Sequence, residues 1–199
     1  MKGAFNMKLA GVKIGWALSG SFCNFQYVFP EIEKLAKQGA DIYPIISYAV
    51  DSFDTRFGTA DDWKAKLRDI TGKELISTII EAEPVGPKLD LDLLIVAPCT
   101  GNTIAKLANA ITDTPVTMAC KAHLRNQKPL LLAIATNDGL GANGKNIGLL
   151  MNMKNVYFVP YGQDDPRGKA NSLISDFEKI EESIKEALSK KQLQAVLNK

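Results

Sequence analysis

The sequence has few of the features that mark secreted, metal-binding or nucleic-acid-binding proteins. It holds three cysteines in 199 residues, Cys23, Cys99 and Cys120, and no two of them have metal-ligand spacing. So few cysteines predict no disulfide framework and favour a reducing compartment. The 24 lysines and arginines balance 22 aspartates and glutamates, and a net charge of +2 gives no electrostatic reason to expect nucleic acid or an anionic membrane as partner.

Long apolar runs are also missing. No run approaches the roughly 18 residues of a membrane span, and the first residues, MKGAFNMKLAGVK, lack the apolar core and cleavage site of a secretory signal. We therefore expect a cytoplasmic protein. The hydrophobic share of 46% and the length of 199 residues predict one globular domain over residues 1–199. Residues 1–10 are expected to be a flexible start, and residues 189–199 a lysine-rich tail.

Short apolar runs alternate with amphipathic stretches along the chain. The predicted strands are residues 12–18, 41–48, 92–97, 129–135 and 156–160; the predicted helices are residues 25–37, 61–70, 103–110, 115–126, 146–153 and 172–188. Residues 49–60 and 163–171 are predicted to be irregular, and residues 72–83 fit either a short helix or a strand. Strands that are apolar throughout are typical of parallel sheets with both faces covered. We predict a single-domain, three-layer α/β/α Rossmann-like fold with a mainly parallel sheet.

Two prolines fall inside predicted elements. Pro30 lies within the first predicted helix, where it removes an internal hydrogen bond, so we expect either a kink there or a helix that begins at Pro30. Pro44 lies within the second predicted strand. Because proline cannot donate to a strand ladder, it predicts an edge or irregular position for that strand.

The loops after the predicted strands are the candidate ligand site, because open parallel sheets bind ligands beyond the carboxyl ends of their strands. Ser19, Gly20 and Ser21 follow the first predicted strand, and serines with a glycine at a helix start suit a phosphate. The run APCTGNTIAK (97–106) places small polar residues between the third strand and a helix. From the residues alone, a phosphate site and ordinary turns with helix caps remain equal alternatives. The spacing is not the dinucleotide fingerprint G-x-G-x-x-G.

These motifs resemble the flavoprotein family, which includes the homo-oligomeric flavin-containing cysteine decarboxylases and the flavin prenyltransferases. The resemblance extends from about residue 12 to residue 160, and it rests on the SGS turn, APCTGNTIAK, NAITD (109–113) and ATND (135–138). It implies an FMN cofactor. The implied cofactor-binding residues are Gly20, Ser21, Ser47, Pro98, Thr100, Asn102, Thr103 and Asn137, and the implied catalytic residue is Asn102.

The chain departs from the decarboxylases of that family. They use a histidine and a flap cysteine after the last strands, whereas the single histidine here is His123, on a predicted helix. No cysteine follows Cys120, and QDDP (163–166) stands where the flap would lie. Decarboxylation is therefore disfavoured. We interpret His123 as structural or exposed, and Cys99 and Cys120 as packing residues.

Four further stretches resemble one subgroup of the family. They are TRFG (55–58), AEPVGPK (82–88), TDTPVTMACKAHLRN (112–126) and VPYGQDDP (159–166). Members of this subgroup act with a second, nucleotide-binding subunit, which is expected to hold NADP. The pair oxidises a dihydropyridine dicarboxylate to the aromatic pyridine dicarboxylate that chelates calcium in bacterial spores. The resemblance thus implies an oxidoreductase subunit that needs its partner, in the mother-cell compartment of a sporulating bacterium.

A small dicarboxylate substrate needs fixed cations, and Arg56 is the first candidate because its planar fork can pair both oxygens of a carboxylate. Lys169 and Arg167, in the loop after the last predicted strand, are the candidates for the second cation. The family also predicts a homo-oligomer, for which the helix at 115–126 would offer Val116, Met118, Ala119, Ala122 and Leu124 as an apolar surface. Two alternatives remain: a scaffolding subunit without chemistry of its own, and an independent FMN-dependent enzyme like the decarboxylases or prenyltransferases.

Overall fold

Strands and helices alternate along the chain in the structure, a computed structural model that describes residues 9–198. The strands are β1 (Lys13–Leu18), β2 (Asp41–Ile46), β3 (Leu93–Cys99), β4 (Leu130–Thr136), β5 (Val156–Phe158), β6 (Tyr161–Gly162) and β7 (Leu173–Ser175). The helices are α1 (Phe25–Lys37), α2 (Tyr48–Ser52), α3 (Ala60–Thr71), α4 (Ile79–Ala82), α5 (Gly101–Ala108), α6 (Pro115–Arg125), α7 (Gly144–Met151) and α8 (Ile180–Leu188). Residues 1–8, the larger part of the predicted flexible start, lie outside the described residues.

The strands form one seven-stranded sheet in the order β2-β1-β3-β4-β7-β6, with β5 also paired to β4. The pairs among β1 to β5 are parallel, and β7 runs antiparallel to both β4 and β6. β3 is buried along its whole length, and its residues alternate between two clusters: Leu93 and Ile95 join one, Leu94 and Val96 the other. Apolar layers thus cover both faces of the sheet, and the predicted α/β/α fold with a mainly parallel sheet is confirmed. Across residues 9–198 no helix has the length and apolarity of a membrane span.

The outcome at the two prolines differs. Pro44 is at an edge as predicted, because β2 ends the sheet and, among residues 9–198, only Ile76 pairs beyond it, through its N–H and C=O. The alternative that the first helix begins at Pro30 is wrong: α1 starts at Phe25 and contains the proline. Phe25 and Phe29 are buried on this helix, and their packing outweighs the missing hydrogen bond.

Two predicted irregular or ambiguous stretches are more ordered than expected. Residues 49–60 contain most of α2, which Ser47 caps, and a two-residue hairpin closed by Thr55 and Gly58. Residues 72–83 contain both a strand-like bridge at Ile76 and the short helix α4. Elements this short depend on a cap or on a partner strand, which a periodicity pattern does not record.

The prediction of a helix over residues 172–188 is wrong in its first half. Residues Leu173–Ser175 form β7, and α8 begins only at Ile180. β7 lies between Ala135–Thr136 of β4 and Tyr161–Gly162 of β6. Its place in the sheet is decided by these distant neighbours, which outweigh the helical spacing of its apolar residues.

The expected apolar surface on α6 is not available for self-association. Val116, Ala119 and Ala122 are buried in the chain's own core, and Met118 and Leu124 pack against the same cluster. The helix lies against α4 and β2. The spacing that suggested an exposed surface is therefore the ordinary spacing of a core-facing helix.

The C-terminal residues lie beside strands β5 and β6 of the sheet. The side-chain amide of Gln192 donates to the carbonyl of Phe158 at 2.7 Å and accepts from its N–H at 2.8 Å. Tyr161 N–H donates to Val196 O at 3.0 Å, and Asn198 N–H donates to Tyr161 O at 2.9 Å. Residues 192–198 thus continue the hydrogen bonding of β5 and β6.

Two glycines should respond oppositely to alanine. A Cβ at Gly86 would overlap the backbone carbonyl of Ala122 on α6, whereas a Cβ at Gly148, within α7, would have no neighbour inside 4 Å. We expect Gly86→Ala to lower the free energy of unfolding by about 2 kcal/mol through overpacking. Gly148→Ala should raise it by up to about 1 kcal/mol through helix propensity. Urea denaturation of both variants checks this, and equal midpoints would contradict it.

Candidate functional site

The loops after β1 and β3 meet where the strand order reverses. The chain passes from β1 to β2 on one side and then places β3 on the other side of β1. Such a switch point is where open α/β sheets bind ligands. Ser19, 1% exposed, joins the two loops, because its Oγ donates to Pro98 O at 2.6 Å and accepts from Thr100 N–H at 2.9 Å. The predicted turn and the predicted APCTGNTIAK segment are therefore held together.

A bulge in β3 makes this junction possible. The pairing of β3 with β4 shifts register between Val96 and Cys99, which frees the intervening carbonyls. Ala97 O accepts from the indole of Trp16 at 3.0 Å, and Pro98 O accepts from Ser19. In the described structure Pro98, one of the predicted cofactor residues, thus has its carbonyl directed into the protein.

The β1 turn also lies close to the start of α2. A Cβ at Gly20 would stand 3.1 Å from the Cβ of Ala49, so a larger residue would press on this helix. Ser47 caps α2 with a long hydrogen bond, 3.4 Å from Val50 N–H. Ser21 accepts from Asn24 Nδ2 at 2.8 Å. The turn and the cap of α2 are therefore neighbours.

α5 presents its first turn at the same edge of the sheet. Thr100 caps it, but its Oγ1 is 3.5 Å from Thr103 N–H and 3.1 Å from Thr103 Oγ1. A capping bond this long holds the hydroxyl weakly, so the hydroxyl can turn toward a ligand. Asn102 is exposed on this turn. First-turn N–H groups and the positive end of the helix dipole favour an anion at this point.

A polar network that the motifs did not predict fixes the end of β4. Asp138 accepts hydrogen bonds from Thr136 Oγ1 and from Asn143 Nδ2, and these bonds lower the pKa of its carboxyl. Asn143 is buried and accepts from Asn146. A Cβ at Gly101 would overlap Thr136, Asn143 and Asp138, so the network packs directly on the first residue of α5.

A cavity of about 710 Å³ opens beside these loops, between the start of α1 and the segment from residue 164 to residue 178. Ser21 and Asn137, two of the predicted cofactor residues, line it. Tyr27 and Phe177 form an aromatic wall, with parallel rings whose centroids are 6.5 Å apart. The volume lies in the range of small-molecule sites.

Arg56 is not among the residues that line this cavity. It sits exposed at the tip of the Thr55–Gly58 hairpin, with its guanidinium carbon 4.9 Å from the ring centre of Phe57. Lys169 lines the cavity instead. Lys169 is one of the two predicted second cations, and the other, Arg167, is not among the residues that line the cavity.

The histidine and two of the cysteines are structural, as predicted. His123 is 1% exposed, its Nε2 lies 2.9 Å from Pro129 O, and burial lowers its pKa to about 4. Cys99 and Cys120 are fully buried, and burial raises the pKa of both thiols. Cys23 is exposed and lines the cavity.

The fold and the edge site define a doubly wound α/β protein with a strand switch point beside a cavity. Residues 4–188 match the sequence profile described as "Flavoprotein", and the chain belongs to this flavoprotein family. The B subunit of dipicolinate synthase from Bacillus subtilis (strain 168) is 49% identical over 189 residues, which cover 95% of this chain and 94% of that protein.

Solved structures agree with this assignment. The crystal structure of the dipicolinate synthase B subunit from Bacillus halodurans C superposes with a TM-score of 0.89 at 45% identity, covering 97% of this chain and 99% of that chain. Burkholderia xenovorans DmrB in complex with FMN gives a TM-score of 0.66 at 17% identity, covering 89% and 96%. The second match shows the fold alone. The chain is thus a close homologue of the dipicolinate synthase B subunit within the flavoprotein family.

Proposed function

We propose that this chain binds FMN at the switch point and acts with the A subunit of dipicolinate synthase, its nucleotide-binding partner, to oxidise dihydrodipicolinate to dipicolinate. The observation that carries the proposal is the Ser19 junction, which joins the turn after β1 to the start of α5 beside a ligand-sized cavity. The 49% identity to the dipicolinate synthase B subunit over 95% of the chain supports the same reaction.

The residues at this edge fit a flavin phosphate. Gly20, Ser21, Ser47, Thr100 and Thr103 offer backbone N–H groups and hydroxyls around a helix start, and two of the caps have long hydrogen bonds. The flavin ring would extend into the neighbouring cavity, which Asn137 lines, and the exposed Asn102 on the first turn of α5 is the second candidate amide contact. The aromatic wall of Tyr27 and Phe177 suits a flat ring.

The reaction removes a hydride and a proton from the dihydropyridine ring, and the product gains aromatic stabilisation. FMN, when bound, supplies a hydride acceptor, and NADP on the nucleotide-binding partner is the alternative acceptor. The chain's own residues bind and orient the substrate and exclude water, and positioning alone can account for a large part of a rate enhancement. This division of labour makes the chain dependent on its partner.

The test is co-expression with the nucleotide-binding partner, followed by absorbance assays for bound flavin and for dipicolinate formation. We expect the purified chain to be yellow, or to take up added FMN, and the two-subunit complex alone to form dipicolinate. A colourless chain that refuses FMN, in a complex that still turns over, would assign it the scaffolding role instead. Turnover by the isolated chain would contradict its dependence on the partner.

A homo-oligomer is also proposed, on the basis of the family. Because α6 is covered by the chain itself, another surface must form the contact. Light scattering at micromolar concentration tests this, and a monomer would contradict it.

A further inference from the structure

The cavity has an unexpected charge balance for a site that holds a dicarboxylate. Four carboxylate residues line it, Glu31, Asp164, Asp176 and Glu178. Within the described part of the chain, Lys169 is the single cationic residue among its lining residues. A substrate with two negative charges therefore finds one cation and several like charges.

Lys169 is well placed to bind one substrate carboxylate. Its Nζ lies 3.1 Å from Asp164 Oδ2, and the hydrogen bond that it donates to this carboxylate raises the pKa of the lysine, which stays protonated. The lysine side chain is 53% exposed, whereas that of Asp164 is 27% exposed. An entering carboxylate can therefore reach the ammonium group without displacing buried atoms.

No comparable cation among the described residues serves the second carboxylate. Glu31 pairs with Lys34 at 3.4 Å and Asp176 pairs with Lys179 at 3.6 Å, but neither lysine is among the cavity-lining residues. Glu178 is exposed at the rim. Like charges close to an anion oppose its binding, so this end of the cavity disfavours a dianion until positive charge is added.

We propose that the second subunit completes this cavity with a basic side chain that binds the substrate's second carboxylate. The inference rests on the proposed function of the cavity. The exposed carboxylate of Glu178 at the rim complements a basic surface, which supports docking of the partner at this mouth. Substrate recognition is then divided between two chains, and neither chain alone holds the dicarboxylate firmly.

Arg56 is the rival source of the second cation within this chain. Its hairpin follows β2, and no residue of the hairpin is among those that line the cavity between the start of α1 and residues 164–178. The side chain stacks on Phe57 at the hairpin tip. The second subunit is therefore the better source.

Calorimetric titration with dipicolinate and with picolinate, which lacks one carboxylate, tests whether the two chains share recognition of the substrate. We expect the affinities of the isolated chain for the two compounds to lie within about threefold of each other. In both compounds, one carboxylate pairs with Lys169, and this pair contributes a similar free energy. The two-subunit complex should bind dipicolinate at least about 30-fold more tightly than picolinate. If the isolated chain already discriminates as well as the complex, or if the complex does not discriminate, the inference is wrong.

Variants identify the source of each cation. Lys169→Ala should weaken dipicolinate binding to the isolated chain and to the complex. Glu178→Lys should strengthen dipicolinate binding to the isolated chain and weaken assembly with the second subunit, while Asp69→Lys, an equal charge change on the exposed side of α3, should do neither. If Arg56→Ala abolishes the discrimination of the complex, this chain supplies both cations and the inference fails.

The same complex is assayed for turnover, so that the two proposals can fail separately. If the complex oxidises dihydrodipicolinate but does not discriminate between the two ligands, only the inference that both chains form the binding cavity is wrong. A complex that discriminates but carries out no oxidation overturns the proposed function and leaves the shared binding site.

Discussion

Ser21→Asp should lower the affinity of the chain for FMN about a hundredfold, roughly 3 kcal/mol. The substitution places a carboxylate in the turn between β1 and α1, where the phosphate is proposed to lie. The contacts of Ser21 in the described structure are the amide of Asn24 and the thiol of Cys23, and neither group carries a positive charge that would pair the new carboxylate. Flavin fluorescence quenching during titration with the protein gives the dissociation constant.

The matched control is Ser189→Asp, which adds the same charge at an exposed position after α8. It should leave FMN affinity within about twofold, and thermal melting should show both variants folded. Equal FMN affinity for Ser21→Asp and the parent chain would show that the phosphate does not bind at this turn. It would leave the fold and the family assignment untouched.

The free energy of unfolding should fall by about 3 kcal/mol as the pH drops from 7 to below 4, through His123 alone. Burial lowers the pKa of this histidine from 6.5 to about 4 in the folded chain. Between these two pH values, His123 is protonated in the unfolded chain and neutral in the folded chain. The contribution is therefore complete above pH 6.5 and is lost as the pH falls toward the folded pKa.

Urea denaturation of the parent chain and of His123→Gln, at a series of pH values, measures this contribution. The stability of the variant should depend less on pH between 6.5 and 4, because glutamine has no group that titrates in this range. Carboxylates also titrate near pH 4. The effect of His123 is therefore the difference between the free energies of unfolding of the parent chain and the variant at each pH. Parallel curves would show that His123 carries no linked proton.

The parts of the fold that the sequence predicted are those whose burial is complete. β3 and β4 are apolar at nearly every position because both faces of the sheet are covered, and such runs leave few alternatives. β6 and β7 are two and three residues long, and they are strands only because β4 lies beside β7. A pattern read over one short stretch of sequence does not contain that information.

The site divides in the same way. Ser19, Gly20 and Thr100 could be predicted to meet, since the rule on carboxyl ends needs only the strand positions. Lys169 could be predicted because its loop follows the last parallel strand, whereas Phe177 comes from a segment whose position depends on β7, so its entry into the cavity had no local signal. The prediction for Arg56 used the correct edge of the sheet, but the hairpin that carries Arg56 contributes no residue to the lining of the cavity.

Residues 192–198 also limit how copies of this chain can assemble. On one side of the sheet they already hydrogen-bond β5 and β6, and on the other side Ile76 and Pro44 leave β2 with few free backbone groups. A second copy therefore cannot add its strands to make one continuous sheet across two molecules. Any assembly must form through side chains on helices and loops, and shortening the chain before residue 192 would expose an unpaired edge, with filaments or precipitate as the visible result.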